Sequence, residues 1–289
     1  MINQESLHSN ITARLASLSD TPALDASVLL ARIVERPRSW ILAHPEMTLT
    51  DEQQNQLNAS LARLENGEPF PYVLGHWEFF GLEFEVTPDV LIPRPETELL
   101  VEKAIACLQK NPTKMNVADI GTGSGAIAVS VAVNVPNANI LATDISAKAL
   151  QVAKRNAEKH GVSERVEFVE CDLLPESKVE GRRPDPRPLT LDLICSNLPY
   201  IPTSTLKHLP IYQREPTVAL DGGEDGLDIF RKLLNIIQDW LAPNALILLE
   251  IESTLGEQTT QLTRQYFPNA HITLHQDLTS RDRLLEIQT

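Results

Sequence analysis

Three short runs carry residue types that do chemistry when brought together. In Val117-Ala118-Asp119-Ile120-Gly121-Thr122-Gly123-Ser124-Gly125, an apolar strand pattern with an acid near its end runs into alternating glycines, and a helical pattern opens after them. Glycine permits backbone conformations and close approaches that a Cβ blocks. A turn of this kind at the carboxyl end of the first strand of an α/β chain is where such sheets bind ligands. The spacing is Gly-x-Gly-x-Gly, not the Gly-x-Gly-x-x-Gly of dinucleotide sites. The second run, Ile140-Leu141-Ala142-Thr143-Asp144, ends the next strand pattern on a carboxylate. That is the interval at which nucleotide-binding sheets place an acid for ribose hydroxyls. The same Asp144 would also serve as an N-cap for the helix that follows. Asp172, after the third strand pattern, would reach an adenine amino group or cap a loop.

The third run is Ser196-Asn197-Leu198-Pro199-Tyr200, which follows a fourth apolar strand. A neutral asparagine, exposed carbonyls and an aromatic ring make a poor hydrolytic site and a good clamp for a planar amide or amino group. Asparagine Oδ1 and a backbone carbonyl can accept both hydrogens of an –NH2 while the ring of Tyr200 packs on its plane. The alternative is a strand-end turn with a packed tyrosine.

These runs need an open α/β sheet to bring them to one edge. Strand patterns fall at 117–120, 140–143, 166–169, 191–195 and 245–251, with helical patterns at 96–109, 126–133, 147–160, 227–241 and 255–266 between or beside them. Alternation of this kind is the signature of a doubly wound, mostly parallel sheet. The closely spaced strands 271–275 and 283–287 imply one antiparallel strand at its end. Trp77–Phe80 and Leu82–Val86 bracket Gly81 as a hairpin. The first 70 residues read as a small helical domain: Thr21-Pro22 as N-cap and N1 before Leu24, Val28, Leu29 and Ile33, and Thr50-Asp51-Glu52-Gln53 as a capping box before Leu57, Leu61 and Leu64, with Gly67 as the stop. The expected division is 1–70 helical domain, 71–90 hairpin linker and 91–289 α/β domain. Glu176–Thr190, rich in proline and arginine, reads as a mobile surface loop.

Composition narrows the class. Of 289 residues 42% are hydrophobic and 22% charged, as in soluble globular chains. No apolar run reaches the roughly 18–20 residues of a membrane span, and the opening MINQESLHSN has no basic and then apolar leader pattern. Cys107, Cys171 and Cys195 are scattered, which predicts free thiols, no zinc site and a cytoplasmic protein. The net charge of −14 counts against direct nucleic-acid binding. His271 and His275 share a strand face and are expected to point to solvent.

The combination resembles the class I S-adenosylmethionine-dependent methyltransferases, and more closely the bacterial peptide chain release factor glutamine methyltransferase family. The resemblance spans nearly the whole chain. It rests on the helical N-terminal domain, Gly75-His76-Trp77-Glu78-Phe79, Ile92-Pro93-Arg94-Pro95-Glu96-Thr97-Glu98, the Asp119–Ala128 run, Asn197-Leu198-Pro199-Tyr200-Ile201, Glu215-Pro216 and Gly226-Leu227-Asp228. The Ile-Pro-Arg-Pro-Glu-Thr-Glu run together with the asparagine tetrapeptide is specific; the glycine run alone is not.

The resemblance implies the class I methyltransferase fold and S-adenosylmethionine as cofactor. Gly121, Thr122, Gly123, Ser124, Gly125, Asp144, Asp172, Leu173 and Asn197 would hold that cofactor. The substrate would be the glutamine of a release factor Gly-Gly-Gln motif, held by Asn197, Leu198, Pro199 and Tyr200, with Asn197, Pro199 and Tyr200 as the catalytic set and no metal. The N-terminal domain would dock the partner, and the enzyme would act as a monomer. The family pattern has proline where this chain has Leu198. The amide-accepting carbonyl is backbone and survives, while the fixed φ is lost and an N–H is gained. Two alternatives remain at this level: an adenine N6-methyltransferase of nucleic acid, and a cofactor-binding homologue weakened by Leu198.

Overall fold

The apolar periodicities resolve into two units, residues 1–75 and 76–289, in a computed structural model that describes residues 7–110, 113, 115–175 and 190–289. Apart from Thr190, the segment expected to be a loop at 176–190 lies outside the described residues.

The first unit is helical, with helices at Leu7–Leu15, Pro22–Val34, Arg38–Ala43, Asp51–Glu65 and Phe70–Leu74. Their apolar stripes meet in one core that includes Ile11, Leu15, Leu29, Leu30, Ile33, Leu57, Leu61 and Leu64. The capping box is complete: the Gln53 N–H donates to Thr50 Oγ1, and the Thr50 N–H donates to Gln53 Oε1. Gly67 ends that helix at φ 84, a conformation costly for other residues. Thr21 departs from expectation. It occupies the N-cap position, but its side chain caps no backbone N–H. Its hydroxyl donates instead to Asp25, which also accepts from Ser19.

The second unit begins with a hairpin, β1 (His76–Phe79) and β2 (Leu82–Glu85), paired antiparallel. Phe80 and Gly81, at φ 53 and 69, make the tight turn between them. The hairpin falls within the second unit. The remaining strands are β3 (Met115–Ile120), β4 (Ala138–Asp144), β5 (Val166–Glu170), β6 (Leu191–Ser196), β7 (Leu241–Glu250), β8 (His271–Gln276) and β9 (Asp282–Gln288). They form one sheet in the order β5-β4-β3-β6-β7-β9-β8. β5, β4, β3, β6 and β7 are parallel, and β9 runs antiparallel between β7 and β8. This is the doubly wound, mostly parallel sheet that the alternation implied.

Apolar layers cover both faces, one including Val117, Ile127, Val131, Ile140 and Leu193, the other including Ile120, Ile194, Leu233, Leu234, Ile247 and Leu285. Strand order reverses at β3, where β4 lies on one side and β6 on the other. A crevice opens at the carboxyl edge beside such a switch point.

One boundary differs from the sequence pattern. The helix expected over 227–241 stops as an α-helix at Ile236, tightens to a 3-10 turn over Ile237–Trp240, and gives way to β7 at Leu241. The apolar face continues through Trp240 and Leu241, so periodicity alone misses the change. His275 is also not simply solvent-facing: its Nε2 lies 2.9 Å from Glu286 of β9, while His271 is exposed.

Candidate active site

Parallel register places four strand ends side by side. Ile120 of β3 is level with Thr143 of β4 and Ser196 of β6, and Ser196 is level with Leu249 of β7. The next residue on each strand is Asp144, Gly121, Asn197 and Glu250. With neighbouring strands about 4.8 Å apart, these four positions span roughly 14 Å along one edge.

The glycine turn is held from both sides. The Gly121 and Thr122 N–H groups donate to the Thr143 carbonyl at 2.9 and 2.8 Å. Asp119, fully buried, accepts from Thr122 Oγ1 at 2.6 Å and from the Ala128 N–H at 3.0 Å, bracing both the turn and the first turn of the following helix. Its Oδ1 has no partner among the described residues, and burial pushes the carboxyl up to about 7. Gly121, Gly123 and Gly125 all have positive φ: 74, 56 and 81. A Cβ on Gly125 would lie 3.1 Å from that of Ala153, so helix packing needs this glycine. A Cβ on Gly123 would meet nothing within 4 Å. The backbone there is open to a ligand.

Asp144 faces this turn. Its Oδ2 accepts from the Gly123 N–H at 2.9 Å, and its Oδ1 accepts from the Ser146 N–H at 2.8 Å. Burial raises its pKa, opposed by those backbone donors. Capping of the next helix falls to Ser146, whose Oγ accepts from the Ala149 N–H. The open backbone at Gly123, next to a carboxylate that accepts hydrogen bonds, fits a ribose-bearing cofactor.

Asp172 lies two residues past β5 and is exposed, with its carboxylate paired to Lys232. Leu173 is buried at φ 67, and its carbonyl accepts from Thr143 Oγ1.

The asparagine tetrapeptide is fixed by contacts on several sides. Ser196 Oγ donates to the Ile120 carbonyl. Asn197 Nδ2 donates to Thr97 Oγ1 at 3.1 Å, which leaves Oδ1 as the free end of the amide. Leu198 is buried, and its Cδ2 sits 3.5 Å from where a Cβ on Gly121 would be. Residues 220–226 clamp the following backbone: the Ile201 N–H donates to the Leu220 carbonyl and the Gly222 N–H to the Ile201 carbonyl. A Cβ on Gly226 would lie 2.3 Å from the Tyr200 carbonyl oxygen, and one on Gly222 would lie 2.7 Å from the Tyr200 Cα. Only glycine fits at either position. Burial raises the Tyr200 hydroxyl well above its ordinary pKa.

Four residues of the Ile92–Glu98 run, Ile92, Arg94, Thr97 and Glu98, make specific contacts. Glu215 accepts from the Ile92 N–H at 3.0 Å and from Arg94 at 2.5 Å. Thr97 meets Asn197, and Glu98 accepts from the Phe80 N–H of the hairpin at 2.9 Å. Three contributors were not singled out in the sequence. Asn156 joins the glycine turn to the hairpin by donating to the Ser124 and Glu85 carbonyls. Thr97 lay inside a recognised motif without a role. Glu250 ends an apolar strand on an acid, the same signal that marked Asp144. It is 4% exposed, and burial pushes its carboxyl up to about 7.

Comparison with known proteins adds to this geometry. Residues 6–75 match the PrmC N-terminal domain family and residues 96–201 the methyltransferase small domain family. A release factor glutamine methyltransferase of Moorella thermoacetica is 40% identical, covering 91% of this chain and 90% of that protein. One from Coxiella burnetii is 38% identical, covering 86% of each. Among solved structures, the hMettl16 catalytic domain in complex with the MAT2A 3'UTR hairpin 6 superposes with a TM-score of 0.52 at 15% identity, over 82% of each chain. That likeness is one of fold.

Proposed function

The chain belongs to the release factor glutamine methyltransferase family and is an enzyme that methylates release factor glutamine; from that premise we propose which residues do the work, and that the methyl donor is S-adenosylmethionine. The observation that carries the reading is the edge itself: an open glycine backbone and Asp144 on one side of β3, and an oriented Asn197 on the other. Gly121, Thr122, Gly123, Ser124 and Gly125 lie against the cofactor, and Asp144 accepts hydrogen bonds from its ribose. Asp172, Leu173 and Asn197 complete that pocket, with Asp172 exchanging its surface partner Lys232 for the adenine amino group.

S-adenosylmethionine, when bound, supplies a methyl group on a sulfonium, an electrophile that needs little activation. An amide nitrogen is a weak nucleophile because its lone pair is delocalised. Asn197 Oδ1 and the Leu198 carbonyl accept hydrogen bonds from its two N–H groups, which draws density onto nitrogen and fixes the direction of its attack. Pro199 holds Leu198 extended, and Tyr200 packs on the amide plane. One N–H proton would pass to water as the new C–N bond forms, so no strong base acts beforehand. The glycines of a Gly-Gly-Gln loop let the glutamine approach this edge closely, and residues 1–75 dock the rest of the release factor. The enzyme acts as a monomer in the cytoplasm.

The test is mass spectrometry of a purified release factor incubated with the enzyme and S-adenosylmethionine. A gain of one methyl group on the Gly-Gly-Gln glutamine is expected. Modification elsewhere, or none, overturns the proposed substrate.

A further inference from the structure

A turn in which Gly121, Gly123 and Gly125 all take positive φ holds no shape of its own, because glycine has the most backbone freedom to lose. Its shape is imposed by anchors. The first half is tied to the sheet, through the Thr143 carbonyl, Asp119 and Asp144. The second half is tied elsewhere. A regular helical ladder would give the Ala128 N–H to the Ser124 carbonyl four residues back, but that N–H goes to Asp119. The Ser124 carbonyl accepts instead from Asn156 Nδ2 at 2.9 Å.

Asn156 is wholly buried within the helix Ala147–Lys159. An asparagine there costs both helix propensity and desolvation, and its amide offsets this by using each of its polar atoms. Oδ1 accepts from the Glu85 N–H at 2.7 Å, and Nδ2 donates to the Glu85 carbonyl at 3.0 Å as well as to Ser124. A backbone N–H only donates and a carbonyl only accepts, so the amide has a single orientation and cannot turn over. Glu85 ends β2 between the buried Phe84 and Val86. The far half of the glycine turn is therefore held in place by the hairpin. We propose that Asn156 is a positioning residue for the cofactor: it fixes the turn against the hairpin, so that the open backbone at Gly123 has its binding shape before S-adenosylmethionine arrives. This rests on the reading of the turn as the cofactor cradle.

Fastening the hairpin does not by itself require Asn156. Arg155 pairs with Glu85 at 2.7 Å, Lys159 with Glu83 at 2.6 Å, and His160 Nε2 lies 2.9 Å from the Glu83 carbonyl. Those contacts join hairpin and helix without reaching the turn, whereas Asn156 touches both. Ala153, three residues earlier on the same helix face, is what a Cβ on Gly125 would strike, so this face of the helix lies directly against the turn.

The test is titration calorimetry of the full chain with S-adenosylmethionine, below the melting temperature of each variant. Asn156→Asp keeps the shape and the acceptor for the Glu85 N–H, and puts an oxygen where the donor to Ser124 stood. Kd should rise about tenfold, the worth of one hydrogen bond lost between turn and frame. KM for the cofactor should rise in step, and kcat at saturating cofactor should fall far less, the pattern of lost uniform binding. Asn156→Ala, whose space admits water to the freed groups, should weaken binding in the same direction and carries the test if the aspartate variant does not fold. Arg155→Met cuts the exposed ion pair on the same seam and should leave Kd within about twofold of wild type. A folded Asn156 variant with lowered Tm and wild-type Kd overturns the proposal, since that is a structural role alone. Equal weakening by Arg155→Met also overturns it, because any loosening of the hairpin would then suffice. A wild-type protein that does not bind S-adenosylmethionine overturns the cofactor reading instead, before any variant is compared.

Discussion

Leu198→Pro separates what the backbone does at this position from what the side chain does. Leu198 is 7% exposed and shares an apolar cluster with Leu173, Leu227, Phe230 and Ile251. Proline carries one side-chain carbon fewer, a loss of about 0.8 kcal/mol for one buried methylene. Its restriction of the unfolded chain returns about 0.4–1 kcal/mol where the native backbone tolerates it. Leu198 is followed by Pro199 and is not among the residues with positive φ, so proline meets no left-handed backbone. The two effects nearly cancel, and Tm should move by no more than about 2–4 °C. Leu198→Ala removes three carbons and should cost about 2–5 kcal/mol, a clear drop in Tm. Both variants keep the carbonyl. Below their melting temperatures, kcat for release factor glutamine should therefore stay near wild type in alanine and stay or rise in proline, read by methyl transfer against calorimetric melting. A Leu198→Pro protein that is folded and binds S-adenosylmethionine yet is inactive would refute the reasoning. The leucine side chain or its N–H would then belong to a different substrate geometry. An inactive wild type rescued by proline would identify a chain weakened at this residue.

Asn197→Ala should depress turnover by roughly 10²–10³ with little change in cofactor affinity; unchanged turnover would remove Asn197 from the site. Asp144→Ala should weaken S-adenosylmethionine binding by about 1.5–3 kcal/mol, measured by titration calorimetry, and the ligand but not NAD should raise the wild-type Tm. Glu250, faced by Thr97, Tyr200, Glu96 and Arg283, is raised by burial from 4.5 to about 7. The folded state then holds a proton that the unfolded state has released, so this group's contribution to stability falls as pH rises from about 4.5 to about 7 and is level above. The Tm of Glu250→Gln relative to wild type should accordingly increase between pH 5 and 7; a difference independent of pH would show that the carboxyl is not buried as described. Removing residues 1–75 should leave cofactor binding intact and greatly reduce methylation of whole release factor; normal methylation by the truncated enzyme would end the docking role.

Much of this protein is written locally in its chain. Alternating apolar runs of strand and helix length dictate a doubly wound sheet, because each element must bury one or both faces against the next. The glycine run, Asp144 and Asn197 stood out because each ends or directly follows a strand, and parallel strands end on a common edge. The short spacing of the last two strands foretold the antiparallel β9 for a similar reason. The chain alone did not disclose what faces these residues from far away in sequence. Thr97 meets Asn197 across 100 positions, and Glu215 reaches Arg94 across 121. Glu250 carried the same strand-end signal as Asp144, but an acid at that position becomes buried at the edge of the site only when β7 pairs in register beside β6. The helix that yields to β7 at Leu241 shows the same limit, since one apolar stripe suits either element until the sheet supplies neighbours. Period and turn chemistry act over a few residues and can be read from them. Hydrogen-bond direction and the burial of charge depend on which distant groups the fold brings together, and only the tertiary structure decides those.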